Sequence, residues 1–328
     1  MTDYKDIHGM QIEIRSDNPD NPANGQVWYN TTNSKLRGLA SSPVGAWATG
    51  GNLNTAKQQM GQTGSQTSAL AFGGETSGAT AVATNELYNG STWTEIADLV
   101  VTKYRQGGSG SDGTSALSFG GRLINNSISQ TNESWNGTSW SEAADLNSAN
   151  HDIAGAAGVS NTSALCFGGD PGNSATNESW NGTSWTELAD LNSGRGDLVG
   201  VGTATSALAS GGLITAVSAL NESWNGTSWT EVADLNTARQ QLSGGGTNNT
   251  SAVAYGGYIT AVSALTEVWN GTSWAEGGDL STARAYGHGG AGTATSALAF
   301  GGEAASARTA ATEEWSEPVL TIREFDLS

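Results

Sequence analysis

Five of the 13 lysines and arginines in this 328-residue chain stand at one recurring position, each just ahead of a glycine-rich stretch. They are Lys57, Lys103, Arg195, Arg239 and Arg284, and Asn150 takes the sixth place. A ring of fixed cations is a ready receptor for an anionic group, such as a carboxylate or sulfate on a surface glycan. The same residues can instead pair with carboxylates of the repeat. Glu133, Glu178, Glu222 and Glu267 are candidates, as are Asp145, Asp190, Asp234 and Asp279.

Other chemistry finds less support. Sixteen of the 31 acids fall in three recurring columns, led by Glu86, Glu95 and Asp98. A general acid and base need unlike surroundings to split their pKa values, which equivalent copies do not supply. No Asp-x-Asp-x-Asp-Gly loop offers a calcium site, and His8, His151 and His288 share no ligand spacing. The lone Cys166 stands where its counterparts are Ala or Ser, so it reads as a small buried residue. Neither catalytic residue, metal nor cofactor is expected.

The elements that must position these residues are repeated. A Gly-Gly pair begins at Gly73, Gly120, Gly168, Gly211, Gly256 and Gly301, at spacings of 47, 48, 43, 45 and 45 residues. Periods of this length belong to propeller blades. Each unit divides into four strands, a to d. Strand a is rich in glycine, which lets backbones converge. Strand b reads Thr-Ser-Ala-Leu-Ala-Phe-Gly-Gly or close to it. Strand c ends at Tyr88, Trp135, Trp180, Trp224, Trp269 or Trp315, and strand d opens at Trp93, Trp140, Trp185, Trp229 or Trp274. The Asn-Gly-Thr-Ser link sets the two aromatics opposite each other across a hairpin. They are expected in the core and not as sugar platforms.

The last unit lacks strand d after Trp315, and Gly45–Lys57 matches that missing piece. The first repeated strand should therefore complete the last blade and close a six-bladed, all-β propeller over 44–317. Residues 1–43 are read as an amino-terminal β arm for docking or assembly. In it Met10–Ile14 alternates as a strand does, and Gln26–Asn30 and Lys35–Leu39 flank a turn. The tail, 318–328, alternates again from Val319 to Leu327 and is expected to pair with Met10–Ile14.

The order of a glycine-rich strand, an apolar strand ending in Gly-Gly, an aromatic at the end of strand c and a Trp opening strand d resembles the kelch repeat. The match covers about 44–317, with a shorter c–d link and Trp where that family usually has Tyr. The resemblance implies a six- or seven-bladed propeller, used mostly as a binding module. The copper oxidases of the family need a Tyr–Cys cross-link and His ligands, a set not found in this sequence. Asn21-Pro-Ala-Asn-Gly-Gln-Val-Trp-Tyr-Asn-Thr-Thr-Asn-Ser-Lys-Leu-Arg-Gly-Leu39 is similar to a segment of tail-fibre-like and structural proteins of marine bacteriophages.

Propeller geometry puts the d–a and b–c loops on one face. The b–c loops vary (75–84, 122–131, 170–176, 213–220) while the c–d loops barely do, so the varied face is expected to make contacts. A net charge of −18 argues against nucleic acid and anionic membrane as partners. The first residues are polar and no apolar run is long enough to span a bilayer, so neither a signal peptide nor membrane insertion is expected. The expected protein is a non-enzymatic virion component, assembled in host cytoplasm. It would be a tail fibre, receptor-binding or decoration protein, with residues 1–43 meeting other virion proteins and the chain forming a homo-oligomer. The competing expectation is a free-standing bacterial propeller that binds carbohydrate or protein.

Overall fold

In a computed structural model, residues 12–19, 26–40, 45–286, 289–305, 307–317 and 321–325 are described. Every regular element among them is a β-strand, and no helix is long and apolar enough to cross a membrane. The chain divides into two compact units, 46–316 and a smaller one formed by 1–45 with 317–328.

The larger unit holds six four-stranded antiparallel sheets. Five are continuous in sequence, and the fourth is typical: Val199–Thr203, Ser206–Ser210, Asn221–Trp224 and Trp229–Val232 as strands a to d. The sixth takes Gly289–Gly292, Ser296–Phe300 and Thr312–Ser316 from the end of the unit and Ala46–Thr49 from its start. Trp315 stands opposite Trp47 there, as Trp224 stands opposite Trp229 in the fourth. The missing strand d is thus supplied from the other end, as its sequence match requires. The a strands pack against one another in series, and that of the sixth sheet packs against that of the first, Gly61–Ser65.

The alternation of strand b explains how neighbouring sheets fit. Its odd and even residues face opposite sheets, and here one side is small and the other large. Ala207 and Ala209 meet Leu165, Phe167, Trp224 and Trp229 on one side, while Leu208 joins Ala252, Ala254, Trp269 and Trp274 on the other. The same division gives six buried clusters, one for each junction, including that between the sixth sheet and the first. Cys166 occupies the small side and is buried. The strand-end aromatics are cross-strand partners with ring centroids 5.0–5.5 Å apart, and all but the half-buried Trp47 are buried. They are core, not platforms.

The diglycines have a specific duty. Both residues of each pair lie at positive φ, from 61° to 104°. The second N–H donates to the backbone carbonyl at the cation position of the next sheet: Gly74 to Lys103, Gly121 to Asn150, Gly169 to Arg195, Gly212 to Arg239, Gly257 to Arg284 and Gly302 to Lys57, at 2.7–3.0 Å. A Cβ on Gly211 would come within 2.6 Å of the Arg239 carbonyl, so a side chain there both strains the backbone and blocks the latch.

The smaller unit is one sheet in the order Glu13–Arg15, Val27–Asn30, Lys35–Ala40, Thr321–Phe325. The expected hairpin is present, with Trp28 fully buried. Asn18 Oδ1 ties it together, accepting from Arg37 Nη1 at 2.8 Å and from Trp28 Nε1 and Asn30 Nδ2 at 3.4 Å. The tail pairing is corrected. Residues 321–325 run antiparallel to Lys35–Ala40, with Leu36 opposite Phe325. Glu13–Arg15 lies parallel to Val27–Asn30 on the opposite edge of the hairpin. The hairpin has two edges and each segment takes one; Met10 and Gln11 lie outside the described residues.

Candidate functional site

The five cations that the sequence put forward as an anion site are inside the protein. Lys57, Lys103, Arg195, Arg239 and Arg284 are 0% exposed. Each meets the strand-c glutamate of its own sheet: Lys57 with Glu86 and Lys103 with Glu133 at 3.4 Å, Arg195 with Glu222 and Arg284 with Glu313 at 2.5 Å, Arg239 with Glu267 at 2.8 Å. Their remaining donors reach backbone carbonyls, as when Arg195 bonds the carbonyls of Ala209 and Gly211. The expected ligand site at these residues is therefore corrected: they have neither exposed surface nor charge to offer. Burial lowers the pKa of Lys57, Arg239 and Arg284, and brings Lys103 down to about 8, against the upward pull of the paired glutamates.

The glutamate does a second task. Its other oxygen accepts the backbone N–H of the linker arriving from the preceding sheet: Asn54 on Glu86, Val100 on Glu133, Asn192 on Glu222, Asn236 on Glu267 and Ser281 on Glu313, all at 2.7 Å. The aspartate column serves the backbone too, with Asp145, Asp234 and Asp279 accepting from the first N–H of strand c. The third sheet has Asn150 for the cation, and Glu178 receives both the N–H and the side-chain amide of Asn147.

Two residues beyond the cation, the repeat loses its sameness. Gln59, Arg105, Asp152, Asp197, Gln241 and Tyr286 occupy this place, all with φ between 52° and 62°. Their backbones join head to tail across the sheets. Arg105 N–H donates to Gln59 O, Asp152 to Arg105, Asp197 to Asp152, Gln241 to Asp197 and Gln59 to Tyr286, at 2.7–3.3 Å. All six line one cavity of about 80 Å³, whose other lining residues are Met60, Gln62, Gln106, Ile153, Leu198, Leu242 and Ser243. A second cavity of about 90 Å³ shares Gln62, Gln106, Ile153, Leu198 and Leu242 with it and is otherwise walled largely by strand-a glycines.

The side chains of this collar form an asymmetric network. Arg105 Nη1 holds Asp152 at 2.8 Å. With the Gln59 amide turned to satisfy its neighbours, its oxygen accepts from Arg105 Nη2 and Nε at 3.0 and 3.2 Å, and its nitrogen donates to Glu75. His151 Nδ1 lies 2.8 Å from Asp152, and its Nε2 lies 2.9 Å from Arg122 Nη2. A guanidinium only donates, so Nε2 accepts and the ring proton sits on Nδ1, aimed at Asp152. Asp197 has no cation in contact among the described residues. Its nearest donor is Gln241 Nε2 at 3.4 Å. Burial, reinforced by the Asp152 charge, pushes its carboxyl up to about 7, against the downward pull of Arg105 and Gln241.

Ligand atoms of His151, Asp152 and Asp170 lie within 4.8 Å of one another, close enough for a metal ion to bridge. The donors are already committed. Arg122 occupies Nε2, Nδ1 carries the proton shared with Asp152, and Arg105 neutralises Asp152. An ion there would sit between two guanidiniums, so this cluster braces the collar instead. Sequence spacing did not join His151 to Asp170, because their backbones meet only through an isolated bridge between the d–a linker and the b–c loop. Of the other histidines, His8 and His288 lie outside the described residues. The collar was likewise missed, although a signal existed: six aligned positions that hold four residue types beside columns that repeat.

In comparisons with known proteins, no family model and no curated protein matches this chain.

Proposed function

We propose that this chain is a six-bladed, kelch-like β-propeller that serves as a non-enzymatic binding module of a bacteriophage virion. Three features support the fold reading: the serial packing of the a strands from the sixth sheet back to the first, a hydrophobic cluster at every junction, and a sixth sheet completed by Ala46–Thr49. The observation that carries the binding reading is the collar. Buried ion pairs and diglycine latches repeat as framework, while the six collar residues around one cavity are of four kinds: two Gln, two Asp, an Arg and a Tyr. A rigid frame presenting unlike polar groups is how a binding site is built. The linkers that carry the collar bridge to the b–c loops, so collar and varied loops share one side.

The virion setting rests on the similarity of residues 21–39 to phage structural segments and on the separate sheet of the smaller unit, which suits an assembly device. The test is the full chain applied to an array of bacterial surface polysaccharides, with released reducing sugar assayed on the same array. Retention without release is expected. Release of sugar would make it an enzyme, and absence of retention would remove the glycan-binding reading. Native mass spectrometry separates the setting: a multimer fits a virion part, and a monomer fits a free-standing binding propeller.

A further inference from the structure

We infer that the collar cavity is a receptor for a primary ammonium group. A primary ammonium carries three N–H donors and one positive charge. The cavity offers three acceptors that lack a full set of donors among the described residues. Gln106 is 5% exposed; its Nε2 is spent on the Phe72 carbonyl, and its Oε1 has no partner. It lines the cavity beside the apolar Met60, Ile153, Leu198 and Leu242 and the polar Gln62 and Ser243. Gln241 spends its Nε2 on Asp197, and its buried Oε1 is also without a partner. Among the described residues, Asp197 receives one long contact from a side chain.

An unmade hydrogen bond at a buried acceptor is costly, so a ligand that supplies donors recovers that cost. The charge balance selects a cation. Arg105 cancels Asp152, His151 is held as the neutral Nδ1–H form, and Asp197 is left as the excess charge. The raised carboxyl of Asp197 is what an acid short of a counter-charge shows. Tyr286, in loose contact with Tyr258 at 5.8 Å, adds an aromatic group at the rim, which a cation favours. The net charge of −18 draws cations toward the protein. The ammonium could come from an amino sugar, an ethanolamine-decorated surface or a polyamine.

The experiment is calorimetric titration of the full chain at about pH 8, where Asp197 is ionised while ethanolamine keeps its proton. Ethanolamine and putrescine are compared with N-acetylethanolamine, and glucosamine, whose less basic amine holds its proton at about pH 7, is compared with glucose at that pH. At least one amine should bind, and acetylation should weaken binding about tenfold or more. Asp197→Asn should cost about tenfold, and Gln106→Met, which copies the equivalent Met60, should weaken binding as well. The strongest amine identifies the source. Absence of amine binding, equal binding of the acetylated form, or binding unchanged by both substitutions would overturn the proposal. Retention on the polysaccharide array without amine binding would sink this inference and leave the binding-module reading standing.

Discussion

At the scale of single residues, the cations and acids of the repeat are spent on architecture. Removing one partner of a buried pair strands the other in a dry site, which costs about 3–5 kcal/mol. Arg239→Met should therefore destabilise by that much in urea denaturation. Adding Glu267→Met should recover only part, because Glu267 also receives the Asn236 N–H. Asp197 gives the opposite kind of prediction. Its folded pKa of about 7 lies above the ordinary value of about 3.9. Below about pH 4 the group is neutral in both states and its contribution is whole. Between about 4 and 7 the unfolded chain releases a proton that the folded one keeps, so stability falls with rising pH. Arg105, Asp152 and Asp170 set the field it feels. Asp197→Asn should match the parent at about pH 4 and exceed it by roughly 1–3 kcal/mol at about pH 8, after allowance for partial solvent screening. Thermal melts across that range read the difference directly.

At the scale of the elements, strand b shows what a period-2 pattern encodes. Ala-Leu-Ala-Phe is a plug on one side and a socket on the other. Ala209→Leu would push a branched side chain toward Phe167 and Trp229, and should cost about 1–3 kcal/mol in equilibrium unfolding. Leu208→Ala on the opposite side should cost about 2–5 kcal/mol by leaving a void. The sheets were legible in the sequence because each repeats its own periodicity: the Trp pairs, the diglycines and the displaced strand before Lys57 all stand where their spacing put them. The fate of the cations was half legible. The strand-c glutamates were visible as partners, yet burial depends on how deep a linker sits, which spacing does not encode. Collar residues escaped notice because their role comes from a left-handed turn that gathers six distant linkers. The tail went to the wrong edge for a related reason: alternation marks a strand but does not choose its neighbour.

At the scale of the whole molecule, the sixth sheet makes residues near the start of the larger unit answer for its end. Ala48 pairs with Glu314 in that sheet. Ala48→Pro should remove a ladder bond and lower the melting temperature of the whole larger unit in one cooperative transition. Two separate transitions, with only one displaced, would show that the sixth sheet melts on its own. The same pairing has a temporal side. Ala46–Thr49 leaves the ribosome well ahead of its partner Thr312–Ser316, with the strands of five sheets made in between. At about 5–20 residues per second, the early strand waits roughly 15–50 s with its apolar Trp47 unplaced. Throughout that interval it is an unpaired strand, open to any exposed edge, including the edge of another nascent copy. A polysome carrying this message is thus where mispairing between chains is most exposed, and the synthesis of Thr312–Ser316 is what ends the hazard.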